Sequence, residues 1–356
     1  MNDSVKRLVW LVIVSLVGCN LSMAQGYAGL GSAAGQGFTM PQRGHALSFP
    51  RDHGSHDDFR IEWWYVTANL KGADGKDYGV QWTLFRSAQA PGDTSGWSSP
   101  QIWMAHAAVT TADHHYVAEK FARGGIGQAG VTVSPFAAWI DDWAMTGLPT
   151  SGDSLSSLSL KAAGDDFGFD LTLSASGPLV LQGENGYSVK SAAGQASYYY
   201  SRPFYTVQGR LHLPAGDVPV SGKAWADREW SSQPLAADQK GWDWFSLHFD
   251  GGAKLMGYHL RGKDSDYTVA TWVNPDGTTQ LLKPGALKLT PLKHVTVAGR
   301  DMPVEWRLEL PEKGLDIATQ PLNTQSWMAV AFPYWEGPIR FSGSASGVGY
   351  LEMTGY

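Results

Sequence analysis

The sequence predicts an all-β protein built from two related barrel-like halves. Three observations predict it. From about Leu47 onward the chain is a succession of short β-prone runs broken by Gly, Pro, Asp and Asn. No long segment has a helical period. The pattern of the first half is echoed, in the same order, in the second.

In chain order, the first element is an export signal over residues 1–24. Lys6 and Arg7 precede an apolar run, Leu8 to Val17, that is too short to span a bilayer. Leu16-Val17-Gly18-Cys19 reads as a lipobox, with Cys19 the lipidated first residue. Ser22-Met23-Ala24 before Gln25 is the competing, ordinary cleavage site. The expected product is an exported, periplasmic lipoprotein that meets the membrane through its lipid anchor only. Residues 25–45, rich in Gly, Ala, Ser and Gln, read as a flexible tether. The expected strands include Phe59–Leu70, Tyr78–Arg86, Leu155–Ala162, Phe167–Ala175, Phe204–Leu213 and Trp242–Phe249. Ala73-Asp74-Gly75, Asp250-Gly251-Gly252 and Pro275-Asp276-Gly277 supply hairpin signals.

The echo divides the chain into domains at 46–224 and 225–356. Glu62-Trp63-Trp64-Tyr65-Val66 leads through a hairpin to a strand ending at Arg86. Trp242-Asp243-Trp244-Phe245-Ser246 leads through a shorter hairpin to one ending at Arg261. Leu158–Leu173 is matched by Trp306–Ile317, Tyr199–Gly209 by Tyr334–Gly343, and Ser221-Gly222 by Thr354-Gly355. The longer first copy carries the insertions.

Composition narrows the function. A net charge of −6 with no basic stripe argues against nucleic-acid binding. Cys19 is the only cysteine, so neither a disulfide nor a cysteine-based zinc site is available to the mature body. Sixteen Trp and fourteen Tyr suit sheet cores and apolar pockets alike. A GxxxxGK[ST] loop and a GxSxG elbow are absent. No metal and no cofactor is expected, although His53, His56 and Asp57 invite the metal question.

Candidate chemistry centres on Lys223–Trp230. In an extended strand Trp225, Asp227 and Glu229 share one face, with neighbours about 7 Å apart. Buried together beside indoles, two carboxyls would have their pKa values pushed apart, and one could act as an acid near neutral pH. The plainer reading pairs them with Arg228 or another cation. Trp242, Trp244, Ser246 and His248 share a strand face that resembles a pocket wall or a plain barrel interior. On the partner strand only one of Tyr258 and His259 can face the same way. Glu62, beside Trp64, must find a partner or a proton; Arg86 or Arg261 could supply the partner. Asp227, Glu229 and Tyr258 are thus the candidate catalytic groups. Glu62, Trp64, His106, Trp230, Trp242, Trp244 and His248 are the candidate ligand contacts.

The stretches Phe49–Gly54, Glu62–Tyr65, Met104–Ala107, Trp139–Trp143, Ser197–Ser201, Ala226–Trp230, Gly241–Trp244 and Gly349–Tyr356 together resemble the AttH family, whose members are lipocalin-like and often labelled secreted hydrolases. The resemblance covers nearly the whole mature chain. It implies two lipocalin-like (calycin) β-barrels packed against each other. A more distant resemblance is to carotenoid 1,2-hydratase, in which a His, a Trp, a Tyr and an Asp are implicated in protonating an alkene. Asp227 and Trp230 match that motif and Tyr258 aligns with its Tyr. Arg228 stands in place of its His, and Leu260 in place of its Asp. An Arg holds its proton too tightly to act as an acid. The resemblance also implies a link to ABC-type permeases.

Three readings follow. The first is a lipocalin-like binder of a hydrophobic, lipid- or isoprenoid-like small molecule. The second is a hydratase, lyase or cyclase working by carboxylate proton transfer, rather than a serine or metallo-hydrolase. The third is an accessory lipoprotein of an ABC-type transporter. Carboxyls converging in a concave pocket would favour the second.

Overall fold

The computed structural model describes residues 37–356, apart from 151, 234, 237, 264 and 265. The export signal, Cys19 and most of the tether lie outside the described residues. The end of that tether is irregular but attached. Thr39 donates its N–H to the Asp58 carbonyl (2.9 Å), and the Gln42 N–H goes to the Tyr198 hydroxyl (2.8 Å).

Alternation of apolar and polar residues, punctuated by turn residues, is realised as two antiparallel sheets. The first contains β1 (Ile61–Gly72), β2 (Asp77–Ala88), β3 (Gln101–Thr110), β4 (His115–Arg123), β5 (Ala129–Val133), β6 (Phe136–Ile140) and β7 (Trp143–Gly147). It continues with β8 (Ser157–Ala163), β9 (Gly168–Ala175), β10 (Val180–Leu181), β11 (Tyr187–Val189), β12 (Ala196–Leu213) and β13 (Gly216–Ser231). The second contains β14 (Gln239–Phe249), β15 (Lys254–Gly262), β16 (Tyr267–Val273), β17 (Thr279–Leu281) and β18 (Lys288–Val297). It ends with β19 (Arg300–Leu310), β20 (Leu315–Pro321), β21 (Trp327–Met328), β22 (Tyr334–Gly343) and β23 (Gly347–Met353). Helix among the described residues is confined to three short 3-10 turns, at Arg51–His53, Gly96–Ser98 and Pro311–Lys313.

The duplication is visible in the strand orders. The first sheet runs β4-β3-β2-β1-β13-β12-β9-β8-β7-β6-β5, and the second β17-β16-β15-β14-β23-β22-β20-β19-β18. Set β1 against β14 and every neighbour matches out to β4 with β17 and β7 with β18. The first sheet adds β5 and β6. Each sheet curls round its own apolar core as a lipocalin-like domain.

The structure moves the domain boundary. Sequence placed it at 224/225, but β13 pairs with β1 and β12 in the first sheet. The change of domain falls between Ser231 and Gln239. Register corrects the echo as well. Trp64 points into the first core, whereas Trp244 points out of the second. Tyr65, not Trp64, shares the outward face that Trp244 occupies. A shift of one residue exchanges the faces of a strand.

The two barrels pack through those outward faces. Tyr65, Tyr199, Trp225, Trp244, Met256, Tyr258 and Tyr350 form one buried cluster drawn from both sheets. Side chains of the second barrel press on the first at Gly79, where an added Cβ would lie 2.5 Å from the Tyr350 hydroxyl and from the Pro338 ring. Only a glycine fits that point of β2.

Candidate functional site

A cleft opens along this seam, enclosing about 840 Å³ including its open mouth. Residues of both barrels line it. β13 contributes Asp227 and Glu229, β1 Trp63 and Tyr65, β12 Tyr199 and β2 Phe85. The second sheet contributes Trp242 and Trp244 of β14, Tyr258 and Leu260 of β15, Tyr334 of β22 and Glu352 of β23. Lys190, Leu235 and Thr354 complete the wall.

Strand register orders these groups. On the first sheet, Phe85, Trp63, Glu229 and Tyr199 form one row across four strands, with Lys190 beyond; Tyr65, Asp227 and Ser201 form the next. On the second sheet, Tyr258, Trp244, Glu352 and Glu336 form a row. The pairing of Asp227 with Tyr65 in the first sheet is repeated by Glu352 with Trp244 in the second. The duplication therefore brings one carboxyl from each barrel to the same cleft.

Their surroundings differ. Asp227 accepts three hydrogen bonds, from Tyr199 Oη (2.7 Å), Trp225 Nε1 (2.7 Å) and Ser201 Oγ (2.5 Å). Burial nevertheless pushes its pKa up to about 7 against those donors, with Glu229 adding to the rise. Glu352 accepts from Trp242 Nε1 (2.7 Å). Burial and the charges of Asp227 and Glu229 raise its pKa to about 7. Behind it, Glu336 is 1% exposed and accepts a hydrogen bond from the Tyr65 hydroxyl, and its Oε2 has no hydrogen-bond partner among the described residues. Burial, with Glu352 adding to it, holds Glu336 well above the usual carboxylate range.

Glu229 is compensated. It forms a 2.7 Å ion pair with Lys190 and a hydrogen bond from Ser197. The Lys190 ammonium sits 4.9 Å from the centre of the Tyr199 ring and 4.3 Å from that of Tyr258. Despite burial, Glu229 and Tyr258 keep the lysine charged. The Tyr258 hydroxyl is held by Ser188 Oγ (2.8 Å) and the Val189 carbonyl (3.0 Å). Of Tyr258 and His259, the tyrosine faces the cleft.

The remaining candidates lie elsewhere. Glu62, Trp64 and Trp230 are inside the first barrel. There Glu62 pairs with Arg86 and Arg228, and His56 stacks on Trp230 at 4.1 Å. Arg261 instead joins Asp243 (3.3 Å). Arg228 faces away from Asp227 and Glu229, lying 3.7 Å over Trp64, because alternation sends it to the opposite face. His106 stands behind the wall, bonded to the Tyr334 hydroxyl (3.0 Å). His248 lies farther along the seam against Trp225 (5.8 Å). His53 bonds Tyr200 and Asp153 while His56 bonds Glu62, and no group of three His, Cys, Asp or Glu among the described residues is arranged for a metal ion. Sequence reasoning missed Tyr65, Lys190, Tyr199 and Glu352. Tyr65 and Tyr199 share the face of Asp227 and Glu229 only once β13 is placed between β1 and β12.

The raised carboxyls leave a mark on stability. Glu352 binds its proton more tightly folded than unfolded. That contribution is complete below the free value, about 4.3, and is lost as pH rises through about 7. Glu352→Gln keeps the acceptor for Trp242. It is expected to change stability little at pH 5 and to raise it by about 1–3 kcal/mol at pH 8. Urea unfolding at the two pH values measures this, and equal effects at both would contradict the assignment.

The model of the family described as AttH-like matches residues 40–356. A crystal structure of an AttH protein from Nitrosomonas europaea is 36% identical, with a TM-score of 0.80, over 90% of this chain and 99% of that one. Kievitone hydratase from Nectria haematococca shares the fold at 18% identity, with a TM-score of 0.65, over 89% of this chain and 95% of that one. Comparison with curated proteins gives no match.

Proposed function

The chain belongs to the AttH-like family, and from that premise we propose that it binds a mainly apolar small molecule between its barrels and transfers a proton to a carbon–carbon double bond, as a hydratase-type lyase. One observation carries the reading: Asp227 and Glu352 converge from the two barrels on one aromatic cleft, and neither has a Lys or Arg partner among the described residues. A binder of a neutral apolar molecule needs the apolar wall but has no use for two such carboxyls, which are costly to bury. The hydratase name of a protein with the same fold agrees with this reading.

The roles follow from the hydrogen bonds. Three donors favour the anion of Asp227, whose Oδ2 retains one acceptor site for a water. Glu352, with one indole donor and Glu336 opposite it on β22, is the better proton holder. Glu352 gives its proton to one alkene carbon. Water adds its oxygen to the other, and the surplus proton goes to Asp227. In the reverse direction, dehydration, the roles exchange. Trp63, Trp242 and Trp244 hold the apolar body at about 25 cal/mol per Å² of apolar surface buried.

The test begins with native mass spectrometry of protein purified from its own membranes. A co-purifying apolar molecule is expected. Incubation of the complex in oxygen-18 water is then expected to give a product carrying one heavy oxygen. A bound molecule that never exchanges or adds water would reduce the protein to a binder. Trp244→Ala is expected to weaken the ligand by about 1–3 kcal/mol, read by titration. An unchanged affinity would move the site away from the seam. We further propose that an exported lipoprotein anchored at Cys19 would place the cleft near its apolar ligand's source. Loss of membrane association in Cys19→Ala tests that.

A further inference from the structure

We propose that the half of the cleft holding Asp227 and Glu352 accepts a lipophilic cation, meaning a protonated or quaternary amine on an apolar body. The inference deepens the reading above by naming a ligand class, and it rests on the cleft being the ligand site, not on catalysis.

Three observations carry it. First, carboxyls dominate the cleft. Asp227, Glu229 and Glu352 line it, whereas Lys190 is the one Lys or Arg among the described lining residues. An anionic head group would meet this wall unfavourably, and a neutral one would gain nothing from its charge. Second, the wall already holds a positive charge of its own. The Lys190 ammonium is boxed by the Tyr199 and Tyr258 rings and closed by Glu229. Third, the same ingredients recur one row away without such a cation. Trp63, Tyr65, Trp242 and Trp244 line the cleft with Asp227 and Glu352, placing aromatic rings beside two carboxyls. Aromatic faces attract cations through their quadrupoles, and more strongly where water is excluded. The same field would stabilise the positive charge that develops on a protonated alkene.

Three probes of one chain length separate the possibilities: octyltrimethylammonium, 1-octanol and octanoate, each below its micellar concentration. Binding is read by quenching of tryptophan fluorescence and by titration calorimetry on the intact protein. The ammonium ion is expected to bind about tenfold or more tighter than octanol, with octanoate weakest. In the double variant Asp227→Asn, Glu352→Gln, with folding checked by circular dichroism, the ammonium ion is expected to fall to the level of octanol. Octanol bound as tightly as the ammonium ion would overturn the cation site and leave the apolar cleft standing. Failure of all three probes to bind the folded protein would overturn the cleft as a ligand site, and this inference with it.

Discussion

Replacing Glu62 by glutamine is expected to destabilise the protein by about 3–5 kcal/mol, with a fall in melting midpoint of about 6–20 °C. Glu62 is fully buried, and its two oxygens bind Arg86 and Arg228, which are themselves buried. Removing its charge leaves two guanidinium groups inside the first barrel with their main counter-charge gone. Desolvation of those cations, rather than the lost hydrogen bonds, dominates the cost. The arginines also hold the carbonyls of His56 and Phe59 (2.8 and 2.9 Å) and of Gly54. The segment around His53 and His56 should therefore loosen with them. Arg307 and Asp316 provide the contrast. Their 2.6 Å contact is about half exposed, and Arg307→Ala should cost no more than about 1 kcal/mol. Chemical denaturation followed by tryptophan fluorescence compares the two. Similar losses would show that burial does not set the energy. Acid should mimic the Glu62 variant, because its two arginines hold that carboxyl well below the usual range. The stability it contributes is present above the free carboxylate value and is lost as pH falls through the depressed one.

How much of this the sequence disclosed depends on the range of the interaction. Alternation along one strand is local, so the shared face of Trp225, Asp227 and Glu229 was legible, as was that of Trp242 and Trp244. Which sheet a strand joins is not local. The boundary at 224/225 cuts β13 and gives Trp225–Trp230 to the second domain; only the pairing with β1 shows that the strand closes the first sheet. The direction of each face is no more local. Glu62 and Trp64 alternate as expected but face the first core, while Tyr65, passed over, faces the seam. Aligning Trp64 with Trp244 concealed this, since a slip of one residue exchanges inside for outside. Glu352 stood in the terminal stretch that marks the family resemblance. Nothing near it in sequence reveals that 125 residues upstream, across a domain boundary, Asp227 waits on the same cleft.

That juxtaposition sets the second large effect. With a substrate in hand, Asp227→Asn is expected to lower turnover by about 10²–10⁴-fold. Activity needs Asp227 ionised, so it should rise as pH climbs through that group's range. It needs Glu352 protonated, so it should fall as pH climbs further. Because the two groups interact, the result is a narrow bell centred near pH 7 whose limbs belong to the pair. Removing Asp227 should abolish the acid limb, and Glu352→Gln the alkaline one. The double variant should be little worse than the weaker single, since groups acting as a unit are not additive. Glu229 and Tyr258 separate this scheme from the one the strand motif suggests. Glu229 is already neutralised by Lys190, and the Tyr258 hydroxyl is held by Ser188 and Val189. Tyr258→Phe should therefore cost less than about tenfold, far below a lost general acid or base. Glu229→Gln should raise KM and lower stability, by leaving a buried ammonium ion unpaired, while keeping the shape of the pH profile. A bell that disappears with Glu229 but survives loss of Glu352 would transfer the acid's role to the first barrel alone, and the pairing of one carboxyl from each copy would lose its chemical purpose.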